Sequence, residues 1–170
     1  MLFIQHCDTP LGGMLLAADE VGLAGVWYDG QKYEAEGLQA SAAERETPVL
    51  VQTRRWLDIY FSGREPDFLP PLHPSGTPFR QAVWALLLEI PYGQTTTYGA
   101  LARRIALSRG IRRMSAQAVG GAVGHNRISI LIPCHRVVGM DGSLTGYAGG
   151  IGKKRHLLDL ERVGTPRASG

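Results

Sequence analysis

The sequence predicts an α+β protein: a small N-terminal β-sheet domain with one helix, joined to a mostly helical C-terminal domain built on a winged helix-turn-helix-like unit. Three observations predict it. Short apolar runs with turn punctuation open the chain, a proline-rich stretch interrupts it at residues 68–76, and capped segments of helical period fill most of the remainder.

The runs "MLLAAD" (14–19) and "GLAGVWYD" (22–29) read as strands, with Glu20-Val21-Gly22 as the hairpin turn between them. Residues 31–47 are polar and rich in Ala, Glu and Gln. From Pro48 to Ser62, Val49, Leu50, Thr53, Trp56, Leu57, Tyr60 and Phe61 recur at helical spacing. "FLPPLHPSG" supports neither helix nor central strand, which makes it a linker. The expected domains are therefore 1–75, ending in that linker, and 76–163, with 164–170 as a frayed tail.

Thr77 and Pro78 are the N-cap and first-turn proline of a helix through "FRQAVWALLLEI" (79–90), which "PYGQ" ends. A second helix begins after Thr97 and runs through "YGALARRIA". "SRGIRR" breaks the pattern, and Ser115 caps a third helix of very small side chains, "AQAVGGAVG". "ISILI" (128–132) is an apolar run expected to be extended, leading to Cys134 and His135. "GMDGSLTGYAGG" (139–150) is a glycine-rich loop with a small hairpin expected at Asp141-Gly142. A last helix, "KKRHLLDLE", turns Leu157, Leu158 and Leu160 toward the core and ends near Glu161.

Charge is distributed unevenly. Residues 1–89 hold six Lys/Arg and twelve Asp/Glu, a net of −6; residues 90–170 hold twelve and three, a net of +9. Between Ile90 and Met140 there is no acid but there are seven arginines: Arg103, Arg104, Arg109, Arg112, Arg113, Arg127 and Arg136. Unbalanced charge repels itself, so a one-sided arginine region points either to a polyanionic partner such as nucleic acid or to a merely basic surface. The third helix offers residues 116–123 with almost nothing to hydrogen-bond a base edge, which favours phosphate contacts and close approach over sequence readout. No apolar run approaches the roughly 20 residues needed to span a bilayer. The opening "MLFIQHCDTPLGG" does not resemble a signal peptide. Two cysteines without a C-x-x-C pair make no disulfide framework, so a cytoplasmic protein with reduced thiols is expected.

Cys134 has three readings: inert core filling, metal ligand or nucleophile. Metal fits poorly, because adjacent Cys134 and His135 point apart in an extended chain, and Cys7 beside His6 has the same difficulty. No metal and no cofactor are expected. Adjacent positive charge favours a thiolate and a histidine can take its proton, so the nucleophile is preferred to the structural thiol.

"IPCHRVVG", preceded by "AVGGAVGHN" and followed by "GSLTGYAGG" and "LLDLE", resembles the O6-alkylguanine-DNA alkyltransferases, also called methylated-DNA–protein-cysteine methyltransferases. The likeness covers about Thr77 to Glu161, and "TPLGGMLLAADEVGLAGVWY" is similar to that family's small β-rich domain. It implies direct damage reversal: a single, irreversible transfer of the alkyl group from O6-alkylguanine to Cys134, after minor-groove binding and base flipping, with O4-alkylthymine an open second substrate. It further implies His135 as proton acceptor through a water, Glu161 as the group orienting it, and Asn126 as a brace of the turn between recognition helix and active-site strand. Tyr98 would bind and protonate the leaving guanine. Val137, Tyr147 and Ala148 would contact the base. Thr97, Ala116, Ala118 and Gly120 would face DNA. The implied partner is double-stranded DNA, read largely without regard to sequence, by a monomer for which cooperative assembly on DNA stays open; no membrane is implied. One departure stands out. Many relatives have an arginine before the A-V-G motif as a wedge into the base stack; here it is Gln117, while the preceding loop carries Arg109, Arg112 and Arg113. Gln117 is expected to act as a neutral wedge, with the loop arginines restoring phosphate affinity.

Overall fold

A computed structural model describes residues 1–31 and 42–167. The N-terminal sheet has the order β3-β2-β1-β4, formed by β1 (Phe3–Thr9), β2 (Gly12–Ala18), β3 (Leu23–Tyr28) and the short β4 (Ala43–Glu44). The first three strands are antiparallel neighbours, and β4 runs parallel to β1. Strand β1 lies beyond the two strands the sequence predicts, because "FIQHCDT" is polar and half-buried. The unbroken apolar run of β2 has a physical reason. Met14, Leu16 and Ala18 enter the main core on one face, while Leu15 and Ala17 cluster with Trp27 on the other. The polar stretch 32–41 lies outside the described residues.

Helix α1 (Pro48–Phe61) starts where its caps dictate, with the Thr47 side chain accepting from Leu50 N–H, and buries Leu50, Trp56, Leu57 and Tyr60 against the sheet. The linker is not loose. Leu23 N–H donates to Pro71 O at 2.7 Å and His73 N–H to Leu23 O at 2.7 Å, so it runs along the free edge of β3.

The C-terminal half contains α2 (Pro78–Leu87), α3 (Tyr98–Arg109), α4 (Ala116–Gly124) and α5 (Ile151–Val163), with a two-stranded parallel ladder of β5 (Thr96–Thr97) and β6 (Val137–Val138). Helices α2, α3 and α4 begin at Thr77, Thr97 and Ser115, whose side chains each accept from a backbone N–H three residues on. Gly110, with φ +65°, ends α3 in the left-handed region and turns the chain toward α4. The small side chains of α4 let α2 approach until Trp84 Nε1 donates to Ala122 O at 2.9 Å. One contiguous apolar core runs from β2 through α1 to α4 and α5.

Several expectations need correction. Helix α2 stops at Leu87 rather than Ile90. "ISILI" is not extended: it folds into turns, with Ile132 N–H donating back to Ile128 O at 3.1 Å. Asp141-Gly142 forms a turn without flanking strands, closed by Gly139 N–H to Ser143 O at 2.9 Å. The stripe α5 buries is Lys154, Leu157 and Glu161; Leu158 and Leu160 are only half-buried. Residues 164–167 are docked rather than frayed, since Thr165 N–H donates to Gly63 O (2.9 Å) and Glu65 N–H to Thr165 O (2.8 Å).

Candidate active site

Cys134 and His135 lie in a single 3₁₀ turn, Cys134–Arg136, held between the 128–132 turns and β6. Asn126 builds the approach to it. Its Nδ2 donates to Ile128 O (3.2 Å) and Ile132 O (2.8 Å), and its Oδ1 accepts from Ile128 N–H (3.0 Å). This clasp closes the apolar run into a compact turn, in which Ile130 adopts φ +71°. A β-branched residue there costs about 1–3 kcal/mol and persists only where its surroundings over-determine it. A second support comes from the sheet, where Val26 N–H donates to Arg127 O (2.8 Å) and Ser129 N–H to Val26 O (3.1 Å).

Cys134 is buried at the floor of a cavity of about 350 Å³, a size typical of small-molecule sites. Tyr98, Gly120, Asn126, Tyr147 and Ala148 line it, together with Thr145. Val137 does not line it; it is fully buried in the β5–β6 ladder beside Thr96. Burial pushes the Cys134 thiol up, opposed by the nearby Asn126 amide and the charge of Lys154.

His135 is fully buried, and its Nε2 meets Glu161 Oε2 at 2.6 Å. An ionised carboxylate only accepts, so Nε2 carries the proton and Nδ1 presents a lone pair. Nδ1 is buried with no hydrogen-bond partner among the described residues. Glu161 also accepts from Tyr60 O–H (2.6 Å), Gly93 N–H (3.1 Å), Arg136 Nε (2.8 Å) and Arg136 Nη2 (3.1 Å). Burial alone would raise the Glu161 carboxyl, but His135 and Arg136 hold it well below its ordinary value. Burial lowers His135, against the pull of Glu161, which favours the neutral imidazole.

The arginine reading is corrected at one residue. Arg136 is buried, pairs with Glu161 and donates through Nη1 to Ile90 O at 2.7 Å, so it is not presented to a polyanion. Arg112 and Arg113 are exposed between α3 and α4, and Ala116, Gln117 and Ala118 are exposed on the first turn of α4. Gly120, one turn on, reaches the cavity, so the outer face of α4 borders its mouth. Thr97 is half-buried and occupied as the cap of α3. Tyr60, Gly93 and Lys154 are site residues that sequence reasoning missed. The first two sit far along the chain from the cysteine, and Lys154 stands in a run that reads as a solvated basic patch.

Fold and site together define a helix-turn-helix protein with a thiol cavity opening beside its second helix and a carboxylate-fixed histidine behind the thiol. Residues 2–74 match the family model of the 6-O-methylguanine DNA methyltransferase ribonuclease-like domain, and residues 78–163 that of the 6-O-methylguanine DNA methyltransferase DNA binding domain. The chain belongs to the methylated-DNA–protein-cysteine methyltransferase family. It is 40% identical over 163 residues to the protein of that name from Haemophilus influenzae, covering 95% of this chain and 87% of that one. The Methanosarcina acetivorans protein is 43% identical over 154 residues, covering 91% and 94%. The crystal structure of Mycobacterium tuberculosis OGT in complex with DNA superposes with a TM-score of 0.83 at 37% identity, covering 96% and 95% of the two chains.

Proposed function

We propose that this protein repairs DNA by moving the alkyl group of O6-alkylguanine onto its own Cys134, once per molecule. The observation that carries the reading is the buried thiol at the floor of a cavity, backed by a histidine whose Nε2 proton is fixed by Glu161 and whose Nδ1 has no partner among the described residues. The DNA-complexed neighbour from Mycobacterium tuberculosis and the names of the relatives support DNA as the substrate.

A thiol raised by burial needs a base, so the Cys134 proton passes through a water to His135 Nδ1. Glu161 stabilises the imidazolium that forms. The thiolate attacks the alkyl carbon and forms the C–S bond as the C–O6 bond breaks, its electron pair leaving with guanine. The Tyr98 hydroxyl accepts from Thr145 Oγ1 at 3.3 Å, which leaves its own proton to give to the departing base near N3. Tyr147 and Ala148 bracket the base in the glycine loop. The thioether resists water, so the protein is consumed. A thiol this deep cannot reach O6 within a stacked duplex; the nucleotide must rotate out, at a cost of a few kcal/mol. The small first turn of α4 (Ala116, Gln117, Ala118) enters the minor groove, with Gln117 filling the gap, while Arg112 and Arg113 meet phosphates.

Intact mass after mixing with duplex DNA carrying O6-methylguanine tests this. One methyl group per protein, on the peptide containing Cys134, is expected. The Cys134→Ala protein should gain none yet keep its DNA affinity, because phosphate contacts supply it. Tight lesion binding by the unaltered protein with no adduct would overturn the reading.

A further inference from the structure

The N-terminal sheet packs Tyr28 behind Tyr147, a residue that lines the cavity. Tyr28, the last residue of β3, is 1% exposed, and its hydroxyl lies 2.9 Å from the Tyr147 hydroxyl. The two rings meet edge to face, with centroids 5.8 Å apart. Tyr28 also presses on the glycine loop. A Cβ at Gly149 would come 2.6 Å from Tyr28 Cδ2, so the loop passes this ring only as glycine. On its other side Tyr147 lines the cavity beside Cys134 and stands edge-on to His135, with centroids 6.5 Å apart. The Tyr147 wall of the cavity is thus backed edge to face by a second ring that belongs to β3. Tyr28 is itself anchored, its backbone N–H donating to Gln31 Oε1 at 2.7 Å.

We propose that Tyr28 is a positioning and specificity-determining residue: it backs the Tyr147 wall, holds that ring in place through the hydroxyl pair, and so limits the size of the alkyl group that reaches Cys134. A close-packed ring cannot recoil, because interiors are packed like crystals and hold discrete arrangements. With Tyr28 shortened, Tyr147 gains room to retreat and the cavity widens on the alkyl side. With only the hydroxyl removed, Tyr147 loses its buried polar partner and its fixed orientation.

The proposal rests on the alkyl-transfer reading, and the test separates the two. Single-turnover transfer rates are measured on one duplex carrying either O6-methylguanine or O6-benzylguanine. Tyr28→Leu is expected to slow methyl transfer about tenfold while raising the benzyl-to-methyl rate ratio at least fivefold, with DNA affinity unchanged. Tyr28→Phe and Tyr147→Phe are each expected to slow methyl transfer about tenfold, and the double variant to be no more than twofold slower than either, since both changes break one contact. Should Tyr28→Leu fail to fold, this cycle, in which ring volume is kept, decides alone. A ratio within twofold in a folded Tyr28→Leu protein, or a double variant slowed by the product of the singles, overturns the proposal. Failure of the unaltered protein to transfer either group would refute the underlying reading instead.

Discussion

Glu161→Gln is the substitution whose outcome the geometry constrains most. Glu161 accepts from Tyr60, Gly93, His135 and two nitrogens of Arg136, all at 2.6–3.1 Å, and is almost fully buried. Glutamine keeps the shape but turns one oxygen into an NH₂ group. At the Oε1 position that group would face Gly93 N–H and Arg136 Nε, neither of which can accept. It is therefore driven to the Oε2 position, which still faces Arg136 Nη2 but where Tyr60 can rotate its hydroxyl to accept and His135 can accept only by changing tautomer. That change moves the imidazole proton to Nδ1, the atom required as base. Arg136 meanwhile loses its carboxylate partner. Breaking a buried pair by removing one charge costs about 3–5 kcal/mol. With a urea slope of about 2 kcal/mol per M, the unfolding midpoint should fall by about 2 M. The folded variant should transfer methyl about 10²–10⁴-fold more slowly at neutral pH, the span of general-base catalysis. Equilibrium urea unfolding and single-turnover transfer on O6-methylguanine DNA measure the two effects. A midpoint within about 0.3 M of the unaltered protein, a small fraction of the expected shift, or full transfer activity, would refute the account of Glu161 as counterion and tautomer lock.

The same contacts set four further outcomes. Asn126→Ala removes three hydrogen bonds and leaves buried backbone groups unpaired, so it should lose about 3 kcal/mol in urea unfolding and slow transfer as the turn around Ile130 relaxes. Stability should fall with acid: burial depresses His135 below its ordinary 6.5, so its contribution is present above that value and lost below it. Glu161, held below 4.5 when folded, loses its contribution only at lower pH. Urea midpoints at a pH of about 7.5 and about 5.5, either side of the ordinary histidine value, should differ in the unaltered protein and differ less in His135→Gln; equal differences would contradict the assignment. Lys154 is fully buried, donates to Thr145 O at 2.7 Å, and its charge favours the Cys134 thiolate, so Lys154→Met should slow Cys134 alkylation by iodoacetamide at neutral pH, with rates converging at high pH. Gln117→Ala should weaken repair of duplex more than of single-stranded substrate; unchanged duplex repair would show that Gln117 is no wedge.

Much of this was legible in the chain because it is written locally. Thr77-Pro78, Thr97, Ser115 and Gly110 set helix ends through contacts within a few residues. The proline stretch marked a segment without helix or strand for the same reason. The motif around Cys134 put a thiol beside a histidine in adjacent letters, and the likeness to a known family singled out Glu161, Asn126 and Tyr98, which the fold brings near them.

Relations between distant positions stayed concealed in the chain. "ISILI" has the composition of a strand, yet the Asn126 amide and the edge of β3 claim its backbone groups and wind it into turns around Cys134. Arg136 reads as one more phosphate-facing arginine, but it is the buried counterion of Glu161, 25 residues away. Lys154 hides in a basic run, and Tyr28 in an apolar strand 119 residues from the Tyr147 it touches. Hydrophobic period and capping chemistry act over a few residues and fix where elements begin and end. Burial of a charge or a ring against a particular partner is decided only when those elements pack.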